Sequence, residues 1–492
     1  MPVPRCGSLS RSRNVMNHRV IPRLQSLPAE LRDPAFFKRC LIEYGESALF
    51  IDTEEWLSDD NPYRRTLRPH VFKYLDFSRP LRRDELLTYT GLSANRTLLT
   101  IYESDFLLLP RKDFGAKRQD FEEFYSPRLK VLGEIVRPEL ESFLFHFLGE
   151  EISVTGHWTA SSLKAYLEDY ARSIRQGSDN KAMAAILGSA DPVHAAKTFL
   201  IQLAGDFLLE SSAMSRNILG RYGAIQSALF KVVIDEYGYG VHKTKHSTVF
   251  ERLLERCGLD SSPHTYWQFY LTSSLLLNNY YNWICRDHSR FFRYLGAIYQ
   301  AETAFIASCQ QMADMMRQVF GADAEVQYFL EHVHIDQHHS RMVLDELIMP
   351  AIESFGEGII LDIVRGFEEG KLLGDIAEQD FCQQVRWSDN GGKYKTLHPA
   401  IYARIKEGSI HPKMQQFVEP RGELSVTHVH DGDELCHIQS GVMRFVTGHE
   451  RYTLLHAGEG TVIQRNRLHG AIIDSEECVY NIYSIGDHQK CL

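Results

Sequence analysis

Glu331-His332-Val333-His334-Ile335-Asp336-Gln337-His338-His339 packs four histidines and two carboxylates into nine residues. The stretch sits in a run of helical character from about 322 to 355. On a helix, residues spaced by three, four and seven share a face. His332, Asp336 and His339 therefore form one stripe of nitrogen and oxygen donors, and His334 and His338 a second stripe roughly opposite. Imidazole and carboxylate in one stripe suit Fe(II), Mn(II) or Zn(II). The second stripe reads as an exposed polar face. A metal held by one helix needs ligands from others, which points to a bundle with a site between facing helices.

The surrounding sequence supports a bundle. Apolar residues recur at helical spacing over 193–212, 219–237, 246–257, 264–284, 289–320, 323–355 and 358–386. The breaks carry Gly, Pro or Asp, as in Gly188-Ser189-Ala190-Asp191-Pro192 and Gly321-Ala322-Asp323. Within these helices three carboxylates interrupt apolar runs: Glu210 after Phe207-Leu208-Leu209, Glu236 after Val233-Ile234-Asp235, and Glu302 after Tyr299-Gln300-Ala301. His246 follows Glu236 across Gly238 and Gly240. A lone Glu is more often solvated or capping. Together with the stripe they make four carboxylates (Glu210, Glu236, Glu302, Asp336) and three imidazoles (His246, His332, His339). Two Fe(II) ions carry four positive charges, which four carboxylates cancel, and a buried site costs far less when its charges cancel. Seven protein ligands around two ions leave positions open for O2 and substrate. Asp235 is a candidate to orient a ligand histidine, or is simply exposed.

After Asp389-Asn390-Gly391-Gly392 the texture changes to short β-rich segments: 424–429, 435–438, 442–446, 452–455, 461–463, 471–473 and 479–485. Short strands at regular spacing imply a sandwich or barrel. His428 and His430 share one face of a strand. With Glu434, Gly441, Gly458-Glu459-Gly460 and His469 they resemble the two cupin motifs, whose small jelly-roll barrel holds a metal. His428, His430 and His469 are the candidate ligands and Glu434 the usual fourth. One departure is Gln464-Arg465-Asn466, where the second motif normally carries PxG.

The order Glu, Glu, His, Glu and a terminal HxxxDxxH resembles the haem-oxygenase-like di-iron oxidases. Fused to a three-histidine cupin and preceded by a helical domain, the chain resembles the N-nitrosourea-forming metalloenzymes of streptozotocin-type biosynthesis. This resemblance implies a multidomain α + β protein. Residues 1–25 form a disordered basic leader, 26–140 an N-terminal helical domain that builds a homodimer, 141–388 a haem-oxygenase-like di-iron bundle, and 389–492 a mono-iron cupin β-barrel. It implies Fe(II), two ions in the helical domain and one in the cupin, O2 as co-substrate and an external reductant. The implied small-molecule substrate is Nω-methyl-L-arginine, hydroxylated at Nδ and Nω′ in the helical domain. The cupin then rearranges the guanidine oxidatively into an N-nitrosourea, an Nδ-hydroxy-N-methyl-N-nitroso-citrulline. Carried over residue by residue, the di-iron ligands are Glu210, Glu236, His246, Glu302, His332, Asp336 and His339, not yet divided between the ions. The cupin ligands are His428, His430 and His469. Around the cupin, Tyr480 and Arg444 are candidate catalytic residues from their strand positions.

Two rivals stay open. One is a haem-oxygenase-like oxidase acting on another amino acid or a fatty acid. The other is a cupin ligand-sensing module on a helical scaffold. Haem chemistry ranks low because four inward carboxylates disfavour a haem propionate face. The loop Gly238-Tyr239-Gly240-Val241-His242-Lys243-Thr244 lacks the Gly before Lys and the leading strand of a phosphate loop. The 492 residues carry 44% hydrophobic and 24% charged side chains and a net charge of −10, which argues against a nucleic-acid-coating surface. No apolar run approaches membrane-spanning length. Nine cysteines without a CxxC pair fit a reducing cytoplasm better than a disulfide framework.

Overall fold

Short polar side chains and prolines set the helix starts. Asp33, Ser126 and Asp191 accept from the backbone N–H of Ala35, Leu129 and His194, each directly before a proline at the first helical position. The computed structural model describes residues 33–51, 60–177 and 180–491. The leader expected over 1–25 lies outside the described residues.

The expected bundle helices run Pro192–Phe207, Ala224–Glu236, His246–Arg256, Thr272–Arg286, Phe291–Phe320, Gln327–Met342 and Ile360–Asp389. Gln327–Met342 continues through a π-helical turn, Val343–Ile348, into Met349–Phe355. Such wide turns are frequent at functional sites, and this one directly follows the His332/Asp336/His339 stripe. The two longest helices meet at reciprocal glycines. A Cβ on Gly296 would lie 1.8 Å from the Ile363 carbonyl oxygen, and one on Gly366 1.8 Å from that of Arg293.

One apolar core runs from Phe37 through the bundle to Leu468. The boundary expected at 140 falls inside a single helix, Pro127–Glu151. N-terminal residues are fastened to the bundle by a fully buried cluster: Glu103 Oε2 lies 2.7 Å from Arg65 Nη1 and 2.6 Å from His264 Nε2. All eight described cysteines are free and buried. Among the described residues no helix is long and apolar enough to cross a membrane.

Beyond Asp389 the structure departs from expectation. Gly391-Gly392 opens a further helix, Gly391–Lys406, before any strand. Eight strands follow: β1 (Lys413–Pro420), β2 (Leu424–His428), β3 (Asp433–Ser440), β4 (Val442–Gly448), β5 (Arg451–His456), β6 (Gly460–Ile463), β7 (His469–Ile473) and β8 (Glu477–Gly486). They form two antiparallel sheets ordered β1-β8-β3-β6 and β2-β7-β4-β5, the double Greek key of a jelly roll. β1 escaped the sequence pattern because it is an edge strand, mostly exposed and without clean apolar alternation. Arg96 Nη1 and Nη2 donate to the carbonyl and hydroxyl oxygens of Thr427 at 3.0 Å, and Tyr89 N–H donates to Asp431 Oδ1 at 2.8 Å. From the other side, Gln384 Nε2 donates to the carbonyls of Thr447 and Leu468. The β unit is thus tied to both the N-terminal helices and the bundle, next to its own histidines.

Candidate metal centres

The seven sequence-predicted residues of the bundle converge, and they divide into two groups. Ligand-type atoms of Glu210, Glu236, His246 and His332 lie within 4.8 Å of one another, as do those of Glu302, Asp336 and His339. Glu236 stands between them: one carboxylate oxygen lies 2.8 Å from His246 Nδ1, the other 3.5 Å from His339 Nδ1. Each histidine is aimed by its second nitrogen or its helix position. His332 Nδ1 bonds the Tyr328 carbonyl at 2.8 Å, which turns Nε2 toward Glu210 at 3.3 Å. His339 Nε2 bonds Asp235 Oδ2 at 3.1 Å, which turns Nδ1 toward Glu302 at 3.2 Å. Asp235 therefore takes the orienting role rather than lying exposed. Tyr328 Oη donates to Glu210 Oε1 at 2.7 Å. His246 opens its helix and its ring lies 4.5 Å from that of His332. His334 and His338 are exposed, as the opposite stripe predicts.

The donor set fits cations. Both carboxylate oxygens of Asp336 and one of Glu210 are buried without a hydrogen-bond partner, a costly state unless something positive meets them. Protons on the neighbouring imidazoles can meet part of that negative charge. Burial opposes a charged His332, but the hydrogen bond and charge of Glu210, with Asp336 and Glu236, outweigh it and raise its pKa to about 10. For His339 burial is likewise outweighed, by Glu302, Asp235 and Glu236, to about 11. Burial and the charge of Glu302 hold Asp336 well above the ordinary carboxylate range. The first group opens on a cavity of about 400 Å³ lined by Glu210, Glu236, Glu302 and His332 among largely apolar side chains, within the size range of small-molecule sites.

The second centre lies inside the jelly roll. His428, His430 and His469 have ring centroids 4.6–4.9 Å apart. Nδ1 of His428 bonds the Val426 carbonyl at 2.7 Å and Nδ1 of His469 the Arg467 carbonyl at 2.9 Å, leaving each Nε2 free. Glu434 Oε2 is 3.1 Å from His430 Nε2. Burial, then the neighbouring imidazoles and Arg68, push His428 well below its ordinary value and, through His469 and Arg68, His430 to about 2. Burial lowers His469 to about 4. These three rings stay neutral, the form that binds a metal. The turn in doubt is resolved by Asn466, which adopts φ 60° where the motif carries glycine and whose N–H donates to the His430 carbonyl.

The two weaker candidates of the jelly roll part company. On β4, Phe445 stacks on His469 (5.4 Å, 25°), so strand alternation turns Arg444 to the opposite face. There it pairs with Asp474, with Nη2–Oδ1 at 2.8 Å. Arg444 is therefore corrected: its guanidinium belongs to an ion pair on the outer face, away from the histidines. Tyr480 packs against the interior cluster of the jelly roll and stacks on Phe417 at 5.2 Å. Sequence reasoning missed Tyr89, whose ring lies 6.2 Å from that of His428, and Arg68, whose charge acts on His428 and His430. Both come from the N-terminal region, and no local pattern connects them to a site more than 300 residues away. A third group, Asp433, Asp487 and His488, is structural. Asp433 accepts from Arg465 N–H and from both the backbone and Nδ1 of His488, which locks the C-terminal turn.

A family model described as an iron-containing redox enzyme matches residues 197–366, an interval that holds all seven residues of the helical centre. The chain is 50% identical over 466 residues to the nitrosourea synthase of Streptomyces achromogenes subsp. streptozoticus, spanning 94% of this chain and 97% of that protein. Iron binding is therefore a property of the family this chain matches, and the chain belongs to the nitrosourea synthase family of iron oxygenases.

Proposed function

We propose that the chain N-hydroxylates Nω-methyl-L-arginine at Nδ and Nω′ in the bundle and rearranges the product to an N-nitrosourea in the cupin. The observation that carries this reading is the presence of two built donor sets of different character: a carboxylate-rich pair of groups sharing Glu236, and a neutral three-histidine centre. Glu210, Glu236, His246 and His332 would hold one iron, and Glu302, Asp336 and His339 the other, with Glu236 between them. His428, His430 and His469 would hold the third, with Glu434 beside it. Iron bound in the bundle, with O2 and an external reductant, would supply the oxidant that a poorly nucleophilic guanidinium requires.

The chain's own contribution is orientation and shielding. Tyr328 and Asp235 fix His332 and His339 through their second nitrogens. The largely apolar cavity walls would limit the water around the reacting nitrogen. In the cupin, Tyr480 is a phenol facing the same interior as the histidines and is the residue proposed to donate a proton there. The homodimer built by 26–140 belongs to the same reading. It is supported by exposed Tyr74 and Leu107, 83% and 72% accessible, in that segment. Light scattering tests it.

The deciding experiment incubates the Fe(II)-loaded protein with Nω-methyl-L-arginine, labelled O2 and a reductant, and follows products by mass spectrometry. Successive gain of two labelled oxygens and then a nitroso product is expected. Substrate returned unchanged by a protein that holds iron and consumes O2 would overturn the substrate.

A further inference from the structure

Four carboxylates of the helical centre are matched by the charge of two Fe(II) ions, but the cavity beside them holds a further one. Asp206 lies in the last turn of Pro192–Phe207, four residues before Glu210. Its side chain lines the cavity and is exposed to it. No hydrogen bond or ion pair reaches that carboxylate among the described residues. Asp235, by contrast, is engaged by His339. The cavity lining contains five carboxylates, Asp206, Glu210, Glu236, Glu302 and Glu378, and not one Lys or Arg. Glu378 is already used, accepting from the backbone N–H groups of Lys181 and Ala182. Asp206 is left as an unpaired carboxyl in a mostly apolar chamber whose lining offers no Lys or Arg to meet it.

Resting on the substrate class proposed above, we infer that Asp206 is the recognition residue for a guanidinium, pairing with the substrate cation and holding it beside Glu210. A carboxylate and a guanidinium match as a two-pronged, charge-assisted pair. Glu210 follows in the turn beyond the helix end, near enough for its charge to act on Asp206, so a guanidinium held by Asp206 presents its outer nitrogens to the Glu210 side. The electrostatics agree. The low-polarity surroundings of the cavity, then the charges of Glu210 and Glu103, push Asp206 above the ordinary carboxylate range; a bound cation would offset that burden. The pairing also makes the cavity discriminate by charge. A urea of the same shape, as in Nω-methyl-L-citrulline, offers an oxygen where the guanidinium offers N–H and sets a lone pair against the carboxylate.

Calorimetry on the Fe(II)-loaded, oxygen-free protein tests this with Nω-methyl-L-arginine and Nω-methyl-L-citrulline as probes. The intact protein should bind the cation more tightly by about 10- to 100-fold, the worth of one charged hydrogen-bonded contact. Asp206→Asn should erase most of that preference at unchanged iron content, and Asp206→Glu should retain it. If Asp206→Asn does not fold, Asp206→Ser takes its place. A preference that survives loss of the carboxylate overturns the role of Asp206, as does an intact protein that binds both probes alike. Selective, Asp206-dependent binding of a cation that is then never oxygenated would uphold the recognition site and overturn the proposed substrate instead.

Discussion

On the proposed metal assignment, raising the pH should strengthen iron binding in the bundle and leave binding at the three jelly-roll histidines unmoved. In the metal-free protein His332 and His339 hold their second protons to about pH 10 and 11. An imidazole must lose that proton to bind a metal. The first group (Glu210, Glu236, His246, His332) therefore releases at least the proton of His332 on loading. The second (Glu302, Asp336, His339) releases that of His339, with Asp336 also held above the ordinary carboxylate range. Well below those pKa values, each released proton makes the apparent affinity rise about tenfold per pH unit. Between pH 6.5 and 8.5 that is about 100-fold for each bundle iron. The cupin histidines, lowered to about 2 and 4 at His430 and His469, are already neutral over this range and release nothing. Oxygen-free competition against a chelator of known pH dependence, resolved by site with Mössbauer spectroscopy, measures both. Equal slopes for bundle and cupin, or a flat bundle profile, would refute the proton-for-metal exchange.

Three further outcomes follow from the packing. Glu103→Ala strands Arg65 in a fully buried site, where both partners are at most 1% exposed, and should cost about 3–5 kcal/mol in denaturant unfolding. Gly296→Ala drives a methyl into the Ile363 carbonyl and should destabilise by about 1–3 kcal/mol in the same assay, with separation of the two long helices. Glu434→Ala, beside His430, should leave three histidines in place but weaken cupin iron by about 10- to 100-fold, read by metal titration.

Much of the site was legible because helical and strand periodicity are local. The His332/Asp336/His339 stripe needed only a spacing of three and four, and the His428/His430 pair a spacing of two. Glu210, Glu236 and Glu302 stood out as charges at apolar positions, and all three turn inward. What could not be read locally depends on tertiary contact. The division of seven donors around Glu236 requires the relative placement of five chain segments. Arg68 and Tyr89 reach the cupin histidines from the far N-terminal side. Asp206 looks like an ordinary residue of a helix end until the cavity beside it is seen to contain no cation. Arg444 failed through strand parity, since Phe445 rather than Arg444 takes the inner face. Gly391-Gly392 read as a break, yet it begins a helix whose Ile401 packs against Leu435 and Val462 of the jelly roll.

The two-centre division of labour is tested most directly by two variants assayed side by side with Nω-methyl-L-arginine and with the separately supplied bis-hydroxylated compound. Glu302→Ala, which removes a donor of the bundle, should return Nω-methyl-L-arginine unchanged yet convert the supplied compound to the nitroso product. His469→Ala, which removes a donor of the cupin, should accumulate the compound bearing two added oxygens. If both variants stop at the same compound, the two centres do not divide the reaction and the account is wrong.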